Sequence, residues 1–211
     1  MGILLGLMLA SALTRAMPAN YPGSWTSDAD YPVGAKKRGE EGTVGFSLLI
    51  SPEGKVTRCY ITQSSGFPEL DRITCVAIST RAQFKPAADE NGQPVYDTYN
   101  GRLTWRHPTH SSPPPRSAPP PSAIKDADME LQVKQLPGGL QEQEVLLMVR
   151  IDTTGHIAYC EQGQFDKSPA PFPKIACTQA KNGYEAVTTN DAGEPISLMR
   201  GFRVLFKVVP L

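Results

Sequence analysis

SSGFPELDRITC, residues 64–75, decides how the rest of this chain is read. Ser64-Ser65-Gly66 is a turn signal, rich in residues that bend or cap a backbone, and the residues after it begin a helix that carries Cys75. A cysteine there asks for a partner. The candidates are Cys59, Cys160 and Cys177, since the chain holds four cysteines.

Sliding the second half over the first at an offset of 101 shows where they belong. Val44, Phe46, Leu48 and Ile50 fall on Val145, Leu147, Val149 and Ile151, so one period-2 apolar strand face is written twice. Gly54 falls on Gly155 in the turns SPEG and DTTG, where a tight turn favours positive φ. Cys59 falls on Cys160, Gly92-Gln93-Pro94-Val95 on Gly193-Glu194-Pro195-Ile196, and Leu103 and Trp105 on Val204 and Phe206. The chain is an internal duplication.

Cys75 aligns with Cys177 at an offset of 102, so each unit carries one strand cysteine and one helix cysteine. Each helix cysteine opens a facet spaced i, i+3, i+7: Cys75, Ile78 and Ala82, then Cys177, Ala180 and Tyr184. Ile73, Val76 and Ala77 lie elsewhere on the first helix and leave its phase open. Four cysteines allow three connectivities, and duplication favours Cys59–Cys75 with Cys160–Cys177. The alternative is four buried thiols acting as small hydrophobes. Disulfides would require an oxidising compartment.

The first residues agree with export. An apolar run over residues 3–13 is followed by small residues, the pattern of a secretory signal, and it is shorter than the roughly 20 residues of a spanning helix. No Lys or Arg precedes it, so residues 1–19 read either as a signal peptide, cut after Ala12, Ala16 or Ala19, or as a short uncleaved anchor. Residues 20–107 form the first unit and residues 126–211 the second. Between them, residues 108–125 include SSPPPRSAPPP, which builds no core and favours polyproline II. Fully extended, that stretch would hold the units roughly 30 Å apart.

Charge excludes one class of partner. Lys plus Arg and Asp plus Glu each number 21, so there is no basic field for nucleic acid. An enzyme finds little support. His107, His110 and His156 are scattered, and the H-x-x-H of residues 107–110 contains a proline and sits beside the linker. No nucleophile-elbow pattern surrounds Ser64-Ser65-Gly66, and Asp71 reads as an early-helix acid favoured by the dipole. The expectation is no catalysis, no metal and no cofactor.

The first unit resembles the TonB C-terminal domain family. The likeness runs in order through Tyr31-Pro32, Ala35, Glu41-Gly42-Thr43-Val44, Gly54-Lys55-Val56, Ser64-Ser65-Gly66, Leu70-Asp71, Phe84-Lys85-Pro86-Ala87 and Gly92-Gln93-Pro94-Val95. It is also similar to a branch of that family with paired cysteines, one of them in a Thr-Cys dipeptide, here Thr74-Cys75. The second unit resembles a degenerate copy, in which residues 165–173 replace the Ser-Ser-Gly and Leu-Asp elements.

The resemblance implies an α+β fold of two small domains, each a three-stranded antiparallel sheet packed on helices. It implies a periplasmic location, inner-membrane tethered if the N-terminal segment stays attached. It also implies strand addition of TonB-box peptides from outer-membrane TonB-dependent transporters, or of a similar envelope protein, beside the last strand. In the first unit that strand carries Tyr99, Arg102, Leu103, Thr104, Trp105 and Arg106; in the second its weaker equivalent carries Phe202, Val204 and Phe206. A free edge also permits a homodimer through swapped strands. An energy transducer of the family has a spanning helix and a long spacer before the domain. Here residue 21 comes almost directly after the apolar run, so the expectation is a protein that binds without pulling. The alternative function is an envelope scaffold, or a competitor that binds another partner.

Overall fold

The structure is a computed structural model that describes residues 12–107 and 127–209. Its elements in chain order are β1 (Met17–Pro18), α1 (Val33–Arg38), β2 (Gly42–Ile50), β3 (Val56–Gln63), α2 (Pro68–Arg81), β4 (Phe84–Lys85), β5 (Ala87–Ala88) and β6 (Pro94–Trp105). The second unit continues with β7 (Met129–Val133), β8 (Glu142–Ile151), β9 (Ile157–Gln162), α3 (Phe172–Gly183) and β10 (Leu198–Val208). The proline-rich stretch lies outside the described residues.

Each unit is built by the same local rules. Gly54 and Gly155 take φ of 77° and 91° in the turns after β2 and β8; a Cβ on Gly54 would sit 2.0 Å from the Phe84 carbonyl oxygen. Helix α2 starts at Pro68 after an extended Phe67, carries Glu69 and Asp71 in its first turn and Arg81 in its last, and so matches the helix dipole at both ends. Its buried residues are Leu70, Thr74, Ala77 and Ile78. Of the expected facet, Ile78 and Ala82 are buried in the core and Cys75 lies at its border, while Leu70, Thr74 and Ala77 widen the inward face. Both disulfides are present: Cys59–Cys75 lashes α2 to β3, and Cys160–Cys177 lashes α3 to β9.

The α+β class stands, but the two units are not held apart. The three-stranded antiparallel groups β3-β2-β6 and β10-β8-β9 join edge to edge through a short parallel pairing, Tyr96 with Leu198 and Asp97 with Met199. The result is one eight-stranded sheet, with β5 beside β6 and β7 beside β10. The roughly 30 Å that a fully extended linker would span does not part the units, because their backbone edges satisfy each other and side chains reinforce the seam. Arg58 of the first unit pairs with Asp191 of the second at 2.5 Å, and Arg150 of the second with Glu90 of the first. The Arg150 guanidinium holds the Glu90 carboxyl below its ordinary value. Leu49, Tyr96, Ile196 and Leu198 close an apolar cluster across the seam.

Register puts the two main helices on opposite faces of this sheet. Ile50, Asp97 and Met199 share one face, where Ile50 and Met199 belong to the core under α2. Leu198 shares the other face with Phe202 and Val204, which pack with Ala176 and Ala180 of α3. The duplication thus reads as a pseudo-twofold along the strands, which keeps β6 and β10 parallel while exchanging faces.

The first core also reaches further back than residue 20. Leu13 and Ala16 are buried in it, β1 pairs with β4, and Thr14 and Ala88 exchange backbone hydrogen bonds at 3.0 and 2.9 Å. The earlier part of the expected signal, residues 1–11, lies outside the described residues. Among the described residues, no helix is long and apolar enough to cross a membrane.

Candidate functional site

The candidate site is the edge of β6 that faces away from β2. On its inner side β6 is paired with β2 from Asp97 to Trp105. On its outer side it meets β10 only at Tyr96 and Asp97, and among the described residues no strand pairs with residues 98–105 there. That leaves a row of backbone donors and acceptors able to receive another extended chain.

The six expected binding residues divide between the two faces of this strand. Tyr99 lies edge-on to Phe84 and Trp25, at 5.1 and 5.8 Å between ring centroids, and Leu103 packs against the same core. Trp105 is buried; its indole N–H donates to Thr74 Oγ1 at 2.8 Å while Thr74 Oγ1 donates to the Leu70 carbonyl, and Tyr31 stands edge-on to it. These three side chains are core. Arg102, Thr104 and Arg106 are exposed, with Arg102 donating to Gln63 Oε1 at 2.8 Å and the Thr104 hydroxyl 2.9 Å from that of Thr43. Any partner on this edge therefore meets main chain and polar side chains. Trp105→Ala is expected to cost about 3–5 kcal/mol of folding stability, and Arg102→Ala less than about 0.5 kcal/mol, both read from urea melts. A small loss for Trp105→Ala would contradict its core role.

The equivalent edge in the second unit is already occupied. Phe202, Val204 and Phe206 are buried under α3, and residues 204–208 of β10 are paired in parallel with all five residues of β7. Met129, Leu131 and Val133 of β7 pack against the second core, while Glu130 and Gln132 face outward. Of the second-unit site expected at Phe202, Val204 and Phe206, the edge at Val204 and Phe206 is thus covered by the chain's own preceding segment, while Phe202 lies before the β7 pairing, at the cleft.

Where β6 and β10 part, a cleft of about 770 Å³ opens, lined among others by Leu13, Arg15, Thr98, Met148, Arg200 and Phe202. Two side chains hold its walls. Arg15 donates through Nε to Asp97 Oδ2 at 2.7 Å and through Nη2 to the Thr98 carbonyl. Asp128 accepts from the Arg203 backbone N–H at 2.8 Å and pairs with Arg200. Each satisfies a strand edge just past the point where the parallel pairing stops. Asp97 itself is 1% exposed. Burial pushes its carboxyl up, against the pull of the Arg15 charge and of the hydrogen bonds from Arg15, Ala16 and Thr98.

Sequence reasoning passed over Arg15, Asp97, Asp128 and β7. The signals were there: Asp97 sits in register with the apolar face that continues through Tyr99 and Leu103, Arg15 lies just past the apolar run, and Met129, Leu131 and Val133 alternate. The Ser-Ser-Gly turn is explained by Asp71. Its carboxylate accepts from Ser64 Oγ at 2.5 Å, from the Ser65 N–H at 2.8 Å and from Ser65 Oγ at 2.7 Å. Burial alone would raise this carboxyl, and these donors outweigh it and hold it below its ordinary value. In the second unit Asp166 does comparable work, accepting from the Leu146 N–H and from Gln162 Nε2.

Among the described residues no three His, Cys, Asp or Glu side chains gather as a metal site. His107 donates its backbone N–H to Glu41 Oε1 at 2.6 Å, with its ring nitrogen Nε2 3.1 Å from the Lys36 carbonyl oxygen. His156 is exposed beside Gly155, and His110 lies outside the described residues.

In comparison with known families, residues 27–106, within the first unit, match the family described as Gram-negative bacterial TonB protein C-terminal. That family is a protein-interaction domain of the bacterial envelope. Comparison with curated proteins returns no matching relative.

Proposed function

We propose, taking the match of residues 27–106 to the TonB C-terminal family as the premise, that this is a periplasmic binding protein. It takes an extended TonB-box-type peptide of an outer-membrane transporter onto the open edge of β6, and through that contact is linked to transport across the envelope. The observation that carries this reading is the contrast between the two units. Residues 98–105 of β6 have no strand on their outer edge among the described residues, whereas residues 204–208 of β10, which include the equivalents of Leu103 and Trp105, hold β7. The duplicate supplies an internal precedent for the edge accepting a strand. Main-chain bonds give such a complex its affinity and alternate side chains its selection. Arg102 and Arg106 beside the edge discourage indiscriminate pairing, as charges on edge strands do.

The first unit does the binding, and the second braces it through the seam. Two tethered units would raise avidity only if both sites were open, and β7 closes one of them.

The test is an NMR titration of the oxidised protein with a TonB-box peptide, following backbone amides. Shifts are expected at residues 98–105, with residues 202–208 unmoved. An absence of shifts at millimolar peptide would sink the transporter reading, and shifts confined to residues 202–208 would assign the wrong edge.

A further inference from the structure

The N-terminal segment offers three small-residue positions for cleavage, after Ala12, Ala16 or Ala19, and the fold discriminates among them. We infer that maturation cuts the chain between Ala12 and Leu13, and that residues 13–19 are a structural part of the mature first unit. The inference rests on the envelope reading above, because the cut is the work of a signal-peptidase-type endoprotease that meets the chain during export. The step is a hydrolysis: water adds across the Ala12–Leu13 amide, leaving a carboxylate on Ala12 and an α-ammonium group on Leu13.

Three groups of contacts decide it. Leu13 and Ala16 lie in the core with Trp25, Phe46, Phe84 and Met199. The backbone continues as added sheet: Thr14 bridges Ala88, β1 pairs with β4, and the Ala19 N–H donates to the Gln83 carbonyl at 2.7 Å. Above all, the buried Asp97 carboxylate depends on this segment. Two of its donors, Arg15 Nε at 2.7 Å and the Ala16 N–H at 2.8 Å, come from it, and Thr98 N–H is the third. Cleavage after Ala16 would remove Leu13, Thr14, Arg15 and Ala16 together, and cleavage after Ala19 would remove β1 as well. Either would take from Asp97, 1% exposed with this segment in place, its Arg15 countercharge, its Ala16 N–H donor and part of its cover, and undo an arrangement in which a buried carboxylate is paired and hydrogen-bonded. Cleavage after Ala12 keeps every one of these contacts and uses Ala10-Ser11-Ala12, small residues at the two positions such an enzyme reads.

The experiment is to express the full chain in a Gram-negative host, fractionate the cells, and determine the N-terminus of the recovered protein by sequencing and intact mass. The expected result is a periplasmic protein beginning Leu13-Thr14-Arg15-Ala16. A periplasmic protein beginning at Met17 or Asn20 would overturn this inference while leaving the envelope reading intact. A membrane-bound protein that retains Met1 would overturn the cut alone, and a cytoplasmic one would overturn both. A second measurement compares chains released from a cleavable fusion to begin at Leu13 or at Met17. The shorter chain is expected to unfold roughly 6–12 °C lower, the shift that loss of a buried ion pair produces in a protein of this size. Equal midpoints would overturn the structural role given to residues 13–16.

Discussion

Arg15→Ala is expected to destabilise the protein by about 3 kcal/mol at neutral pH, the lower end of the range for breaking a buried ion pair. The lower end applies because the Arg15 side chain is 35% exposed, so water reaches its charge even though Asp97 is sealed. The substitution leaves behind a buried carboxylate with only backbone donors, the Ala16 and Thr98 N–H groups. The effect carries a pH signature. Burial already raises the folded pKa of Asp97 above its ordinary value, so this carboxyl favours the folded state below the unfolded carboxylate range and loses that contribution as pH rises through its folded pKa. Removing Arg15 raises that pKa further, which widens the loss at pH 7 and shrinks it in acid, where Asp97 is protonated. Urea melts at pH 7 and pH 4 measure the difference, and Arg15→Ala combined with Asp97→Asn should recover part of the neutral-pH loss. A cost equal at both pH values would mean that packing, and not charge, is the contribution of Arg15.

Replacing Cys59 and Cys75 with serine is expected to cost about 3 kcal/mol in the chain-entropy account of a loop this short, or roughly 6–12 °C in unfolding midpoint for a chain of about 200 residues. The equivalent pair Cys160 and Cys177 should cost a similar amount, since the sequence separations are 16 and 17. The local consequences should differ. Helix α2 is held by buried Leu70, Thr74, Ala77 and Ile78 as well as by its disulfide, whereas α3 buries Phe172 and two alanines, Ala176 and Ala180. Less apolar area leaves α3 more dependent on its covalent tie. Amide hydrogen exchange should therefore accelerate more across α3 in the second variant than across α2 in the first. Equal protection of the two helices would show that α3 has other support.

The same contrast separates the features legible along the chain from those that were not. A strand of period 2 announces itself in Val44, Phe46, Leu48 and Ile50, and its copy in Val145, Leu147, Val149 and Ile151. The pairing of the cysteines came from that copy, and both bonds are there. The phase of α2 was harder, because Ile73, Val76 and Ala77 lie off the facet of Cys75, Ile78 and Ala82. In the fold Ile78 and Ala82 are buried together with Leu70, Thr74 and Ala77, and the sheet offers Thr74 a hydrogen bond from Trp105. Tyr99, Leu103 and Trp105 were visible as one face of an end strand, and that face proved to be the buried one, so the candidate site is the edge beside them.

By itself the sequence determined the twice-written strand pattern, the order of strands and helix around it, the turns at Gly54 and Gly155 and the pairing expected of the four cysteines, since these depend on spacing along one chain. Only the tertiary structure decided that the units share a sheet through β6 and β10, that their helices face opposite ways, that β7 covers residues 204–208 while among the described residues no strand covers the outer edge of residues 98–105, and that Arg15 answers Asp97. The reason is physical. Edge pairing is made by backbone groups that almost every residue carries, so no side-chain pattern marks which edges will meet. An ion pair between residues 82 positions apart exists only once the fold has brought them together.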